Sequence, residues 1–268
     1  MSKFFIPEKR VVMPIVKQGK REVNAGAFFQ KMGRYEKDKK FFLFDFDGVL
    51  SPTGGVIRPE IGNELKKFKS NNDLCIGIVS SRDMKQLKGF ASILGMENLL
   101  LCAEDGIHIS MPLKNAEIIF TSPNISKQLL VMRKQLLSIF KKEISFFNAQ
   151  YSIQAYPKVN FHPSEIHYEM TKIIEKNGLK ELTAAFMNGH AEVVPNGVNK
   201  STIARVLERM GADLNNIAHV GDDVNDLPLF EIVRGITFDN CEKIVQDAAK
   251  VVVQNVHSVF TILNFFAS

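Results

Sequence analysis

Two carboxylates, Asp45 and Asp47, stand two residues apart at the end of the apolar run Phe41-Phe42-Leu43-Phe44. In an extended chain, residues i and i+2 share a face. Both acids can therefore point at one spot beyond the strand's carboxyl end, where open α/β sheets hold their ligands. Such a pair repels itself unless a proton or a cation lies between. Oxygen-only donors favour a hard cation such as magnesium. Gly48 follows and lets the backbone turn sharply or approach a ligand closely. Taken alone, this Asp-x-Asp is also compatible with a strand end carrying solvated acids.

Three further polar sets occur later in the chain. Ser80, with Ser81 and Arg82 behind it, closes the apolar run Leu74–Val79. Lys200 opens a helical pattern, and Asp222, Asp223 and Asp226 follow the run Ile217–Val220. Each has a structural alternative. Ser80 can cap the next helix, Lys200 can be a solvated lysine, Asp222 and Asp223 can be turn acids, and Asp226 can cap a helix at Leu227. Four such sets, each at the end of a buried strand or the start of a helix, point to one shared site.

The elements that must position these residues can be read from hydrophobic periodicity. Strands at Phe41–Phe44, Leu74–Val79 and Leu99–Ala103 alternate with helices over Pro59–Lys69 and from Met84 to Leu94. Strand–helix–strand alternation of this kind predicts a parallel sheet with right-handed crossovers. Short strands over 107–111 and 117–120, a long helix over 123–142, a helix over 163–177 and strand-like runs at 186–187 and 191–194 then break the pattern. Alternation resumes from Val198 to Phe266. The expected fold is α/β: a doubly wound, Rossmann-like parallel core of residues 40–111 and 196–268, with an inserted α+β unit at 112–195. Residues 1–39 form a basic N-terminal extension, within which Ala25–Met32 predicts a short helix that docks on the body.

Composition narrows the function classes. At 268 residues with 45% hydrophobic content, the chain can build a sizeable core. No apolar run reaches the roughly 18–20 residues of a membrane span, and the N-terminus lacks the apolar stretch of a secretory signal. Three scattered cysteines, Cys75, Cys102 and Cys241, predict reduced thiols and a cytoplasmic location. Residues 1–40 hold 8 Lys and 3 Arg against 3 Glu and 1 Asp, whereas the whole chain is only +5. The basic character belongs to the leader. It has no aromatic-interleaved stripe or nucleic-acid motif, so no nucleic-acid partner is expected.

Asp45-Phe46-Asp47-Gly48-Val49-Leu50, Ser80, Lys200 and Gly221-Asp222-Asp223-x-x-Asp226 resemble, in order and spacing, the four motifs of the haloacid dehalogenase superfamily of phosphohydrolases. The inserted unit resembles that superfamily's class II cap. Ala103-Glu104-Asp105-Gly106 and Glu192-Val193-Val194-Pro195 look most like trehalose-6-phosphate phosphatases and other capped sugar phosphatases. The resemblance implies a magnesium-dependent phosphatase of a small phosphorylated metabolite, with a sugar phosphate expected. Asp45 would be the nucleophile that forms an aspartyl-phosphate, and Asp47 the general acid and then base. Asp45, the Asp47 backbone carbonyl and Asp222 would hold the metal. Ser80, Ser81 and Lys200 would bind the phosphate. Asp223 and Asp226 would bind the metal through water or orient Lys200. Ser81 stands where relatives often carry Gly. Two alternatives remain open at this point: a phosphomutase of hexose phosphates, and a binding or regulatory protein that uses the basic leader. The inserted unit offers Lys158, His162, His167, Asn188 and His190 as polar residues near a substrate, each more readily structural. Nothing in the sequence sets the oligomeric state.

Overall fold

Buried β-branched and aromatic runs form the strands of this chain, and they sort into two sheets. The structure is a computed structural model that describes residues 12–32, 38–69, 74–147, 149–158, 162–187 and 189–267. In chain order, β1 (Ile15–Gln18), β2 (Arg21–Val23) and α1 (Ala25–Met32) precede β3 (Lys40–Asp45). Next come α2 (Pro59–Lys69), β4 (Leu74–Val79), α3 (Met84–Ile93), β5 (Leu100–Ala103), β6 (His108–Met111) and β7 (Ala116–Ile119). The middle of the chain gives α4 (Pro123–Phe140), β8 (Ile144–Phe146), β9 (Ile153–Pro157), α5 (Pro163–Asn177), β10 (Leu182–Met187) and β11 (His190–Pro195). The last part gives α6 (Thr202–Arg209), β12 (Ile217–Val220), α7 (Leu227–Phe230), β13 (Arg234–Phe238), α8 (Lys243–Ala248), β14 (Val251–Val253) and α9 (Val256–Ala267).

The chain divides into two compact units, residues 1–15 with 120–198 and residues 16–119 with 199–268. The larger unit is built on a sheet of order β14-β13-β12-β3-β4-β5-β6-β7-β1-β2. From β14 to β5 the pairing is parallel, and β5-β6-β7 pair antiparallel. This is the expected α/β architecture. The central strand β3 is covered on both faces, which is why it reads as an unbroken apolar run rather than an alternating one. Phe42 meets Phe68 edge-on at 5.0 Å, and Phe44 stacks on Phe260 at 5.8 Å. Leu43 packs over Gly77 of β4, where a Cβ would come within 2.8 Å of its side chain. Burial of each such side chain contributes on the order of 1.5–3 kcal/mol.

Residues 15–32 hold more structure than their weak patterning predicts. β1 and β2 form a hairpin around Gly19, whose φ of 60° needs no Cβ penalty, and β1 extends the large sheet beyond β7. α1 spans Ala25–Met32 and buries Phe28, Phe29 and Met32. Residues 1–11 and 33–37 of the basic leader lie outside the described residues. β7, on the inserted side of the boundary drawn from sequence at 111/112, pairs with β6 from His108↔Ile119 to Met111↔Ala116. A hairpin closes through local pairing, so the large sheet keeps both strands before the chain leaves it.

The smaller unit has an antiparallel sheet of order β10-β11-β9-β8. α4 and α5 bury Ile125, Leu129, Met132, Ile166 and Met170 against Ile153, Ala155, Ala191 and Val193 of this sheet. Ser122 caps α4 by accepting from the Ile125 N–H at 3.1 Å, with Pro123 at the first helical position. α5 ends at Gly178 in the left-handed region, φ 60°.

Candidate active site

Strand register brings three of the sequence sets to one edge of the large sheet. Phe44 of β3 lies level with Val220 of β12, and Asp45 lies level with Val79 of β4. Ser80 and Asp222 therefore leave the sheet on either side of Asp45. The chain turns after Asp45 through Gly48, whose φ is 80°. A Cβ at Gly48 would stand 1.8 Å from Oδ2 of Asp222. Only glycine lets these two loops touch.

Lys200 enters from the turn just before α6. Its ammonium group is 1% exposed and donates to Asp45 Oδ2 at 2.7 Å, Asp226 Oδ1 at 2.8 Å and Asn225 Oδ1 at 3.0 Å. All three of its hydrogens are thereby used. The β5–β6 connection supports that turn. Glu104 and Asp105 both adopt left-handed backbone, φ 49° and 50°, and Gly106 follows at 103°. A Cβ on Gly106 would lie 2.1 Å from the Asn199 carbonyl. Left-handed backbone at non-glycine residues costs on the order of 1–3 kcal/mol and persists only where packing fixes it. Here it brings Asp105 within 3.3 Å of Asn225 Nδ2, and Asn225 in turn touches Lys200.

Asp226 is the most heavily bonded acid of the group. It accepts from Lys200 and from the backbone N–H groups of Asp222 (3.1 Å) and Asp223 (3.2 Å). His219 lies between it and the sheet, 2.6 Å from Asp226 Oδ1 and 3.2 Å from the Leu43 carbonyl. Gly221 makes this possible, since a Cβ there would stand 2.3 Å from the Asp226 carboxyl carbon. Asp223 instead caps the short turn 224–226, its side chain accepting from the Val224 N–H at 2.6 Å.

Asp47 is held apart from this lysine-centred group. Arg82 donates to both of its oxygens, at 2.8 and 2.7 Å, and the Gly54 N–H adds a third bond at 2.8 Å. The guanidinium lies 4.5 Å from the ring centre of Phe46 and 5.2 Å from that of Phe90. This combines a bidentate fork with cation–π contact. Ser80 is buried, and its Oγ accepts from the Arg82 N–H at 3.2 Å. Ser81 is half-buried beside it. The helix after this loop is capped by Asp83 rather than Ser80, in a reciprocal capping box with Gln86.

The electrostatics leave an acid surplus. Burial pushes the Asp45 carboxyl well above its usual range, although Lys200 opposes the shift. Burial raises Asp222 to about 7, with Asp226 beside it adding to the rise. Burial also acts to raise Asp226, but Lys200 and His219 outweigh it and hold that carboxyl below its ordinary value. Lys200 is the converse case: burial favours its neutral form, and Asp226 with Asp45 overrides this to hold it charged. One oxygen of Asp222 is buried without a hydrogen-bond partner. Oxygens of Asp45, Asp222 and Asp226 lie within 4.8 Å of one another. An unpartnered carboxylate oxygen, a surplus of negative charge and an all-oxygen donor set fit a hard divalent cation such as magnesium.

The structure thus brings Asp45, Lys200, Asp222 and Asp226 together, puts Asp47 against Arg82, and uses Asp223 as a cap. Sequence reasoning assigned no functional role to Arg82, Asp105, His219 or Asn225. The signal for Arg82 and His219 was available: a cation at the mouth of one buried strand, and a histidine inside another, three residues before Asp222. In the smaller unit, His190 stacks on Tyr156 at 4.7 Å, and His162 and His167 flank Phe186. Asn188 lies outside the described residues.

Residues 158–265 match the family model described as haloacid dehalogenase-like hydrolase. Among solved structures, a haloacid dehalogenase-like hydrolase from Bacteroides thetaiotaomicron superposes with a TM-score of 0.67 at 14% identity, covering 85% of this chain and 99% of its own. The C-terminal domain of the C. albicans trehalose-6-phosphate phosphatase gives 0.65 at 17% identity, covering 91% and 97%. The Aspergillus fumigatus trehalose-6-phosphate phosphatase gives 0.59 at 19%, covering 91% and 97%. At these identities the likeness is one of fold. A search of curated proteins by sequence gives no match.

Proposed function

We propose that this chain is a haloacid dehalogenase-like hydrolase, and within that family a magnesium-dependent phosphatase of a small phosphorylated metabolite, with a sugar phosphate as the substrate class. The observation that carries the reading is Asp45: a buried carboxylate at the mouth of the central strand, 2.7 Å from the Lys200 ammonium and clustered with Asp222. In this reading an oxygen of Asp45 attacks phosphorus, and the phosphate ester bond breaks as the aspartyl-phosphate forms. Asp47 gives its proton to the departing alcohol. It then takes a proton from the water that attacks phosphorus, which frees Asp45 and releases inorganic phosphate. Arg82 and the Gly54 N–H donate to Asp47 and so hold it in place as the proton acceptor that the second step needs. Lys200 holds the orientation of Asp45 and offsets the charge of the incoming phosphate. Ser80 and Ser81, at the end of β4, would donate to the phosphate oxygens. Asp45, Asp222 and the backbone carbonyl of Asp47 would hold the magnesium ion, which supplies positive charge between nucleophile and phosphoryl group.

The sugar-phosphate class draws on the inserted α+β unit and on the trehalose-6-phosphate phosphatases among the structural neighbours. Free cysteines fit a cytoplasmic setting, and no helix among the described residues is long and apolar enough to cross a membrane. The test is phosphate release from a panel of sugar phosphates and an aryl phosphate, with magnesium or chelator, for wild type and Asp45→Asn. Magnesium-dependent release that the substitution abolishes is expected. Folded wild type that releases no phosphate from any substrate refutes the reading. Conversion of a hexose 1-phosphate to its 6-phosphate without release replaces it with a mutase.

A further inference from the structure

The sheet of the smaller unit ends on one side in β10, which pairs with β11 and, among the described residues, with no other strand. An outer strand presents a row of unpaired backbone groups, and folded proteins blunt it with charge, proline or a bulge. β10 uses none of these. Its sequence, Leu182-Thr183-Ala184-Ala185-Phe186-Met187, holds no charged residue and no proline, and its pairing runs unbroken from Leu182↔Pro195 to Met187↔His190. Register fixes which groups face outward. The Asn196 N–H donates to the Glu181 carbonyl at 2.8 Å, so these two residues form a hydrogen-bonded pair at the end of the ladder. In an antiparallel ladder such pairs alternate with non-bonded ones. Thr183, Ala185 and Met187 therefore turn their N–H and C=O groups to β11, and Ala184 and Phe186 turn theirs away. Among the described residues, no hydrogen bond reaches the main chain of Ala184 or Phe186 from outside this pairing. The side chains of Ala184 and Phe186 share one face, and the Phe186 ring is 44% exposed.

We propose that β10 is a self-pairing edge: two copies of this chain join β10 to β10, antiparallel, about a twofold axis at Ala185. The two four-stranded sheets then continue into one another. Three features select a second copy as the occupant. The outward donors and acceptors match, because Ala184 can exchange both of its backbone hydrogen bonds with the partner's Phe186, and Phe186 with the partner's Ala184. The shapes match, because each Phe186 ring comes to lie beside a small Ala184, and direct cross-strand neighbours stand about 4.5–5.5 Å apart. The strand carries no charge to repel its own image, as a twofold, self-complementary contact requires. A contact made by one strand buries less than the roughly 1,200 Å² of stable complexes, so the dimer should come apart on dilution. The inference uses no residue of the candidate active site and stands apart from the phosphatase reading.

The experiment is sedimentation of the full chain, in reductant, from low to high micromolar concentration. A reversible shift from the monomer mass to twice that mass is expected. Ala184→Pro removes one outward N–H and leaves the ladder to β11 intact, as proline on an edge strand can. Its dissociation constant should rise at least tenfold. Wild type supplies a readout that needs no variant. Amide exchange at Ala184 and Phe186 should slow severalfold at dimer concentration, while the inward amides of Thr183, Ala185 and Met187 change little. A cysteine pair tests the register. Ala185→Cys sets two thiols across the axis, where Cα atoms of a non-bonded pair lie about 4.5 Å apart, within the roughly 4.4–6.8 Å of a disulfide. It should cross-link on mild oxidation, above the wild-type background. Thr183→Cys, also half-buried but about 14 Å from its own copy, should not. A chain that stays monomeric, growth beyond the dimer, a dimer that folded Ala184→Pro keeps, unchanged exchange at Ala184 and Phe186, or cross-linking of Thr183→Cys as readily as Ala185→Cys each overturns the inference.

Discussion

The Asp222→Asn substitution tests the physical core of the candidate site, its unbalanced buried charge. The Asp222 carboxyl rises from an ordinary value of 3.8 to about 7, burial being the first cause and Asp226 the second. The folded state therefore binds a proton more tightly than the unfolded chain does. For an acid with a raised folded-state pKa, stability is fully present below about pH 4 and is lost as pH rises to about 7. At about 1.36 kcal/mol per unit, the whole shift is worth about 4 kcal/mol, of which about 3 kcal/mol is lost between pH 5 and 8. Asparagine is neutral throughout and escapes this loss. In chelator, then, the variant should melt above wild type at pH 8, and the gap should shrink on going to pH 5. At roughly 2–4 °C per kcal/mol for a chain of this size, the pH-dependent part of the gap is about 6–12 °C. Magnesium should raise the wild-type midpoint at pH 8 and leave that of the variant nearly unchanged. Thermal melts of both proteins at three pH values, with chelator or magnesium, supply every number needed. A gap that does not vary with pH in chelator, or an equal response of both proteins to magnesium, would refute the reasoning.

Three further outcomes follow from the same geometry. Gly48→Ala places a Cβ 1.8 Å from Asp222 Oδ2 on a backbone at φ 80°, so it should cost about 1–3 kcal/mol of stability and at least tenfold in magnesium affinity, read by melting and by metal titration. Lys200→Met leaves Asp45 and Asp226 without their shared cation, and unfolding in denaturant should show a loss of about 3–5 kcal/mol together with loss of turnover. Arg82→Lys removes the bidentate fork on Asp47 but keeps the charge; kcat should fall about tenfold to a hundredfold with KM little changed, and a normal kcat would dismiss Arg82 as the group that positions Asp47.

Much of the site was legible in the chain because parallel α/β folds translate linear order into position. A buried strand announces itself as an apolar run, and the residue that follows it must emerge at the carboxyl edge. Asp45, Ser80 and Asp222 could be placed at one edge on that rule alone, and the oxygen-only chemistry of the acids gave the expectation of a hard divalent cation, which the proposed function carries. Lys200 was placed by resemblance to a known motif order. The short hairpin β1–β2 was not legible, since polar strands of three or four residues carry too little periodicity.

What the chain alone determined, then, is which residue types stand at the strand ends and that they carry more negative charge than one lysine can balance. Only tertiary structure decided how that charge is divided. Asp226 takes Lys200, His219 and two backbone N–H groups, so it stays ionised as a fixed anchor. Asp222 gives its own N–H to Asp226 while one of its carboxylate oxygens is left without a partner, and burial raises it. Asp47, two residues from Asp45 in sequence, is held instead by Arg82, thirty-five residues away. The physical reason is that desolvation and pairing depend on distances across strands and loops. Three glycines, Gly48, Gly106 and Gly221, permit those approaches by lacking a Cβ where another loop must pass.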